Sequence, residues 1–355
     1  MGINKVLCIL SFALTIHCAL AESQHENDSI IMRLEADAFR CGMPTGLQKK
    51  QALAVETAIN GDTTLLNEVR NSRNSSPTYS GNVIVTDMKI AGQNGHDIPA
   101  RLYSPIREGG TLPLLVYFHG GGWTFGSLNS CARYCDAIAS TGIAKVLAVD
   151  YVLAPEHPYP EGLHDCIDAV EYAFANSKEL GVDPSSISVG GDSSGGNLAL
   201  ATALHNVDNT KLPIKSLVLY YPVVIAENDG SESWLKYGDG FGLDADLMDK
   251  FNEAYISSVQ PANIGTISPA FATDNQLLQL PPMLMINAER DILSSQGESF
   301  SRRLTELGCS VKHITFPGAV HLFITVAGQN RAFSRSIDLS TSFLNDPKRA
   351  IENTF

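Results

Sequence analysis

The chain has 355 residues, of which 44% are hydrophobic, and a formal net charge of −13 at pH 7. This composition allows a large buried core, and the length suits an α/β domain with insertions. The acidic balance argues against nucleic acid as a partner and against electrostatic docking on anionic membranes, because both need a basic surface.

The first 21 residues have the pattern of a secretory signal peptide. An apolar run, 6–16, follows Lys5, and the small residues Ala19 and Ala21 mark a predicted cleavage point after Ala21. The run is short for a bilayer span, so no stable membrane insertion is expected. The pattern therefore predicts a secreted or periplasmic protein. The alternatives for this segment are an N-terminal membrane anchor and a buried helix.

A helical segment, 22–77, comes next, and a β-hairpin then precedes a regular alternation of strands and helices. The predicted strands are 83–90, 97–103, 112–118, 145–150, 187–189, 215–220, 283–287 and 311–316. Strands joined by helices form βαβ units, so the pattern predicts an α/β fold with a mostly parallel central sheet flanked by helices. Residues 223–264 interrupt the alternation as an insertion. The main domain is predicted to span 78–346, before a C-terminal tail at 347–355.

Ser193 is the candidate nucleophile, because Gly191, Ser193 and Gly195 fit the spacing G-x-S-x-G. This spacing is typical of a sharp turn from a strand into a helix. Small neighbours let the backbone close tightly there and leave the serine hydroxyl exposed. By itself the motif is a weak signal, because clusters of glycine and serine are more often ordinary loops.

Two further residues complete a candidate catalytic triad. Asp291 and His321 each follow a predicted strand, where α/β sheets place their functional residues. The chain order of serine, aspartate and histidine is that of α/β-hydrolases and differs from the orders in the two serine protease types. Glu289 is the competing candidate for the acid.

A glycine run follows the predicted strand 112–118 and begins at His119. Consecutive glycines let backbone N–H groups converge on one point without obstruction by side chains. Gly121 and Gly122, together with the N–H of Ser194, are therefore the predicted oxyanion hole. His119 is expected to orient this loop rather than to accept protons. A phosphate-binding P-loop is excluded, because no Lys-Ser/Thr pair follows the glycines.

No cofactor and no metal site are predicted. The cysteines that remain after the predicted cleavage are Cys41, Cys131, Cys135, Cys166 and Cys309. The spacing of Cys131 and Cys135 lacks the second ligand pair that a zinc site needs. Buried free thiols are the favoured interpretation, with one disulfide as the alternative and its pairing undetermined.

Taken together, these motifs resemble those of the hormone-sensitive lipase-like family of α/β-hydrolases. The matching segments are HGGGW at 119–123, DYVLAPE at 150–156, GDSSGG at 191–196, the segment of the acid at 287–293, and HLF at 321–323. Val152 replaces an arginine of the family pattern. Leu322 replaces a glycine, a change expected to affect substrate preference more than activity.

The resemblance implies a serine carboxylesterase (EC 3.1.1) that hydrolyses short- to medium-chain carboxylic esters through an acyl-enzyme on Ser193. It also implies a helical cap, built from 22–77 and about 223–264, and a substrate pocket that includes Trp123, Asp192 and Leu322. The alternatives are an amidase or deacetylase of the same family and a non-catalytic ligand-binding protein of the same fold. A small-molecule ester is the expected partner, and homodimer formation stays open.

Overall fold

The structure is a computed structural model that describes residues 26–106, 110–256 and 264–352. The predicted signal peptide, 1–21, lies outside the described residues. Within these ranges, no helix combines the length and the apolarity that crossing a membrane requires.

Eight strands of the described chain form one sheet. In chain order they are β1 (Val83–Ala91), β2 (Asp97–Pro105), β3 (Leu112–Phe118), β4 (Lys145–Val149), β5 (Val182–Asp192), β6 (Leu217–Tyr220), β7 (Met283–Arg290) and β8 (Val311–Val320). Their order across the sheet is β1-β2-β4-β3-β5-β6-β7-β8. The pairs β1–β2 and β2–β4 are antiparallel, and the remaining pairs are parallel. The predicted, mostly parallel sheet is confirmed.

Strand β3 shows why the central strands read as continuous apolar runs. Leu114 and Val116 pack into the core on one face of the sheet, and Leu115 and Tyr117 pack into the core on the other. Side chains alternate between the faces of a strand, so a strand covered by helices on both faces needs apolar residues at every position.

Helices cover both faces of the sheet. The described helices are α1 (26–42), α2 (Leu47–Ile59), α3 (Thr64–Arg73), α4 (Ala132–Ser140), α5 (Glu161–Ala175), α6 (Ser177–Leu180), α7 (Ser194–Asp208), α8 (Glu232–Tyr237), α9 (Ala245–Ile256), α10 (Asp274–Leu277), α11 (Ser294–Glu306), α12 (Asn330–Asn345) and α13 (Pro347–Glu352). The buried residues of α5, α7 and α11 belong to one core, and those of α4, α12 and α13 belong to the other.

The N-terminal helices and the 223–264 insertion contact each other directly. The Arg40 guanidinium donates to the carbonyl oxygen of Gly240 over 2.8 Å. The Asp244 N–H donates to the side-chain oxygen of Gln48 over 2.7 Å. Two segments far apart in the chain therefore form one helical layer, which is called the cap below.

The first six residues of the predicted tail at 347–355 are helical. They form α13, in which Pro347 and Ala350 are buried, and Ala350 packs into the core that includes α12. The Lys312 ammonium group donates to the carbonyl oxygen of Ala350 over 2.6 Å, which fixes this helix to β8. Proline fits the first turn of a helix, because its missing N–H has no partner there.

The five cysteines expected in the mature chain are all free in the described residues. Cys131, Cys135 and Cys166 are buried, as predicted, and Cys309 is half-buried. Cys41 is exposed, which corrects the expectation that it is a buried thiol. The described residues contain no cluster of side chains suited to hold a metal ion.

Candidate active site

The backbone at Ser193 adopts the sharp turn that the motif predicts. Ser193 lies between β5 and α7 with φ 55° and ψ −119°, a conformation that L-residues rarely adopt. The turn is held by its surroundings, since the Ser193 N–H donates to the Tyr220 carbonyl oxygen over 2.9 Å. A strained backbone of this kind persists only where packing and hydrogen bonds enforce it.

The two glycines of the motif are needed because backbones approach closely at this turn. A Cβ at Gly195 would overlap the carbonyl oxygen of Phe118, and a Cβ at Gly191 would overlap the backbone of Gly195. The spacing G-x-S-x-G thus reflects contact between the turn and the end of β3.

The structure brings Ser193, His321 and Asp291 into one hydrogen-bonded chain. The Nε2 atom of His321 lies 3.1 Å from the Ser193 hydroxyl oxygen, and its Nδ1 atom lies 2.5 Å from an Asp291 carboxylate oxygen. All three side chains are buried. A proton on Nδ1 donates to the carboxylate and leaves Nε2 free to accept the serine proton. The other carboxylate oxygen of Asp291 accepts the N–H of Leu293 over 3.0 Å.

Glu289, the competing acid, faces a different part of the molecule. Its carboxylate accepts the N–H of Gly318 and lies 3.5 Å from the guanidinium of Arg33 on α1. It therefore connects α1 to the end of β8 and does not contact His321.

The predicted oxyanion donors are free to bind a substrate oxygen. Gly121 and Gly122 have φ values of 127° and 62°, and their N–H groups have no acceptor among the described residues. Both glycines line a cavity that also contains Ser193 and His321. Ser194 is the first residue of α7, where the N–H groups have no partner within the helix.

Asp192 positions the glycine loop. One of its carboxylate oxygens accepts the hydroxyl of Tyr117 over 2.8 Å and the N–H of Gly120 over 3.0 Å. Burial raises the pKa of Asp192, although the hydrogen bond from Tyr117 and the charge of His119 oppose that rise. The residue before the nucleophile thus ties the two halves of the site together, a contact that the motif alone did not show.

His119 packs in a way that suits the orienting role predicted for it. Its ring stacks on Tyr151 with centroids 4.4 Å apart, and its Nδ1 atom lies 3.0 Å from the Gly120 carbonyl oxygen. Its Nε2 atom lies 3.6 Å from the carboxylate of Asp150. It lines the cavity, and the histidine that forms the hydrogen bond with the Ser193 hydroxyl is His321.

Of the three residues predicted for the substrate pocket, the structure places two at the cavity. Asp192 and Leu322 line it, whereas Trp123 does not. The Trp123 ring is buried and stacks on Tyr255, with centroids 4.2 Å apart, so its apolar surface is used in fixing α9 to the loop. This corrects the prediction for Trp123. Leu322 has φ 70°, which explains why glycine suits this position in the family pattern.

The cap supplies most of the cavity wall that sequence reasoning did not identify. The residues from the N-terminal segment are Met43, Leu47, Gln48, Gln51 and Arg73, and those from the insertion are Gly242, Leu243, Leu247 and Phe251. Phe125, from the loop after β3, completes the apolar part of the wall. Helical periodicity could have indicated which residues of each helix face inward, but not that these faces meet over Ser193.

A family model described as alpha/beta hydrolase fold matches residues 115–325, a stretch that contains the whole hydrogen-bonded chain and the glycine loop. The chain belongs to the hormone-sensitive lipase-like family of α/β-hydrolases. The match covers more than half of its length, and the family resemblance read from the motifs is confirmed.

Curated relatives and solved structures agree with this family assignment. The chain is 37% identical to carboxylesterase NlhH of Mycobacterium tuberculosis, over 65% of this chain and 72% of that protein. It is 36% identical to an arylesterase of Saccharolobus solfataricus, over 67% of this chain and 76% of that protein. The structure of the Pyrobaculum calidifontis esterase is similar, with a TM-score of 0.73 and 33% identity over 80% of this chain and 93% of that one.

Proposed function

We propose that the protein is a serine carboxylesterase that hydrolyses short- to medium-chain carboxylic esters. The observation that carries the proposal is the hydrogen-bonded chain from Ser193 through His321 to Asp291, next to the free N–H groups of Gly121 and Gly122. The relatives named carboxylesterase and arylesterase support the same reaction class. The apolar cavity wall suits an alkyl chain of the substrate.

The geometry is suited to the two half-reactions of ester hydrolysis. In the first, the Ser193 oxygen attacks the ester carbonyl while its proton passes to Nε2 of His321. The N–H groups of Gly121, Gly122 and Ser194 stabilise the negative oxygen of the tetrahedral intermediate. His321 then gives the proton to the departing alcohol, and the acyl group stays bound to Ser193.

In the second half-reaction, a water molecule loses a proton to His321 and attacks the acyl-enzyme. This attack forms a second tetrahedral intermediate. Its collapse returns the proton from His321 to Ser193 and releases the carboxylic acid. Asp291 keeps the ring of His321 in one tautomer and stabilises its charged form in both halves of the cycle.

Replacement of the nucleophile tests the proposal. Ser193→Ala should reduce kcat for p-nitrophenyl butyrate by about 10⁴-fold or more, because the oxyanion donors alone give only residual catalysis. A fluorophosphonate should label the wild-type protein once, at Ser193, as seen by peptide mass spectrometry.

Ser299→Ala is the matched control, since this exposed serine lies on α11 away from the cavity. It should keep the wild-type rate. Wild-type activity in Ser193→Ala, or a label on another residue, would refute the assignment.

We also propose that the protein is secreted or periplasmic, with residues 1–21 removed as a signal peptide. The support is the sequence pattern alone, namely the apolar run and the small residues before the cleavage point after Ala21. The intact mass of the exported protein tests this proposal. Homodimer formation stays a prediction from the sequence.

A further inference from the structure

The cavity above Ser193 contains a cation that the proposed chemistry does not use. Arg73 is the last residue of α3, and its guanidinium carbon lies 5.4 Å from the ring centroid of Phe125. Both side chains line the cavity that contains Ser193 and His321. The inference below rests on the proposed ester hydrolysis and concerns the chemical class of the ester.

Arg73 has no anionic partner among the described residues. No hydrogen bond or ion pair is found for its guanidinium, in contrast to Arg70, one turn earlier, which pairs with Glu156. Asp192 is the one carboxylate among the described residues that line this cavity, and Tyr117 and Gly120 already occupy it.

Arg73 is exposed, so its guanidinium is in contact with water. The protein around it lowers its pKa, because burial penalises the charged form, but an arginine stays charged at neutral pH. Arg73 therefore offers a substrate anion a charged group at the wall of the cavity. Arginine is well suited to bind a carboxylate, because its planar fork can donate two parallel hydrogen bonds.

Gln51, on the neighbouring helix α2, supplies a second unused polar group. It is 4% exposed and lines the same cavity, and its side-chain amide has no hydrogen-bond partner among the described residues. By contrast, the amide of Gln48 is engaged by the N–H of Asp244. The amide atoms of Gln51 are not fully buried, so they keep access to the water of the cavity and can form a hydrogen bond with a polar group of a ligand.

We propose that Arg73, assisted by Gln51, gives this esterase a preference for esters that carry a carboxylate at the far end of the chain held under the cap. The apolar residues Leu247 and Phe251 would contact the alkyl part between the ester and the carboxylate. The net charge of −13 repels anions at long range, so the preference depends on this local cation.

Matched ester pairs test the preference on each side of the ester bond. For the acyl side, kcat/KM is measured for p-nitrophenyl hemiadipate and p-nitrophenyl hexanoate, which have the same number of acyl carbons. For the alcohol side, 5-carboxypentyl butyrate is compared with hexyl butyrate in a pH-stat. Wild-type protein should favour the anionic ester in one of the two pairs, mainly through a lower KM.

Removal of the cation should abolish that preference. In Arg73→Met, the ratio of anionic to neutral kcat/KM should fall about 10-fold, in keeping with the loss of a charge-assisted hydrogen bond. Arg73→Lys should restore part of the ratio, because it keeps the charge without the fork. Arg302→Met is the matched control, since it removes an exposed arginine on α11 outside the cavity and should leave the ratio unchanged.

Failure of this inference is distinguishable from failure of the proposed function. If the neutral esters are hydrolysed in a Ser193-dependent manner but Arg73→Met leaves both ratios unchanged, the carboxylate preference is refuted and the esterase proposal stands. The carboxylate preference is also refuted if wild-type protein favours the anionic ester in neither of the two pairs. If folded wild-type protein hydrolyses none of the four esters, both proposals fail. Thermal unfolding of each variant shows that the fold is kept.

Discussion

Ser193 combines a hydroxyl that faces the cavity with a strained backbone. Its φ of 55° is unfavourable for an L-residue, but the backbone N–H and C=O of Ser193 are both engaged. The N–H groups of Asn197 and Val223 donate to its carbonyl oxygen over 3.1 and 3.2 Å. Local strain at the nucleophile is therefore offset by hydrogen bonds from α7 and from the start of the insertion.

His119 shows how charge is balanced at a single buried residue. Burial lowers the pKa of His119, but Asp150 raises it, and the net result is a pKa above the usual value of histidine. The folded protein therefore favours protonated His119. This contribution to stability is fully present below about pH 6.5 and is lost as the pH rises through the raised pKa.

Asp150→Asn should therefore destabilise the protein more at pH 6 than at pH 9. The expected difference in the free energy of unfolding is about 1 kcal/mol, because Asp150 is partly exposed to solvent. Urea denaturation at both pH values measures it. Glu161→Gln, which removes the exposed pair with His157, is the control and should change stability little at either pH. An equal loss at both pH values in Asp150→Asn would show that Asp150 does not stabilise protonated His119.

Among the elements, α3 holds the two loops that shape the site. Arg70 on α3 donates to the carbonyl oxygens of Thr124 and Ala154 over 2.9 and 3.0 Å. It also forms two hydrogen bonds to the Glu156 carboxylate, of 2.7 and 2.9 Å. Thr124 follows β3, and Ala154 and Glu156 follow β4, so one helix of the cap fixes both loops.

Arg70→Met should lower the free energy of unfolding by about 2–4 kcal/mol. The change leaves a carboxylate and two carbonyl groups without their donor in a half-buried place. Chemical denaturation measures the loss. The exposed pair of Lys89 and Asp97 offers the control, since Lys89→Met removes an ion pair in open solvent and should cost less than about 1 kcal/mol. If Arg70→Met also lowers the free energy of unfolding by less than about 1 kcal/mol, α3 contributes little to holding the loops.

Across the whole molecule, solvent access separates the five cysteines. Cys135 and Cys166 lie within the cores, where burial raises the pKa of each thiol, whereas Cys41 on α1 is exposed. A raised pKa keeps a thiol protonated and unreactive. The free state of all five thiols and the proposed removal of residues 1–21 can be examined in one measurement.

The exported protein, alkylated in denaturant without reductant, should have the mass of residues 22–355 with five modified cysteines. Alkylation of native protein should modify Cys41 first, and Cys41→Ser should remove that fast reaction. A mass that retains residues 1–21 would refute the cleavage. Three modified cysteines would reveal a disulfide and refute the free state.

The sequence by itself determined the sheet, the nucleophile turn and the order of the triad. These features depend on local rules: alternation of apolar residues along a strand, glycines where backbones touch, and the placement of Asp291 and His321 directly after strands. Each rule acts within about ten residues, so each can be recognised without knowledge of the rest of the chain.

Only the tertiary structure decided what surrounds Ser193. It turned Glu289 away from His321, buried Trp123 against Tyr255, and brought Arg73 to the wall of the cavity. Each outcome depends on which face of one element packs against another that lies far away in the sequence. Such contacts follow from the shape and packing of the whole core and have no signature in a short stretch of residues.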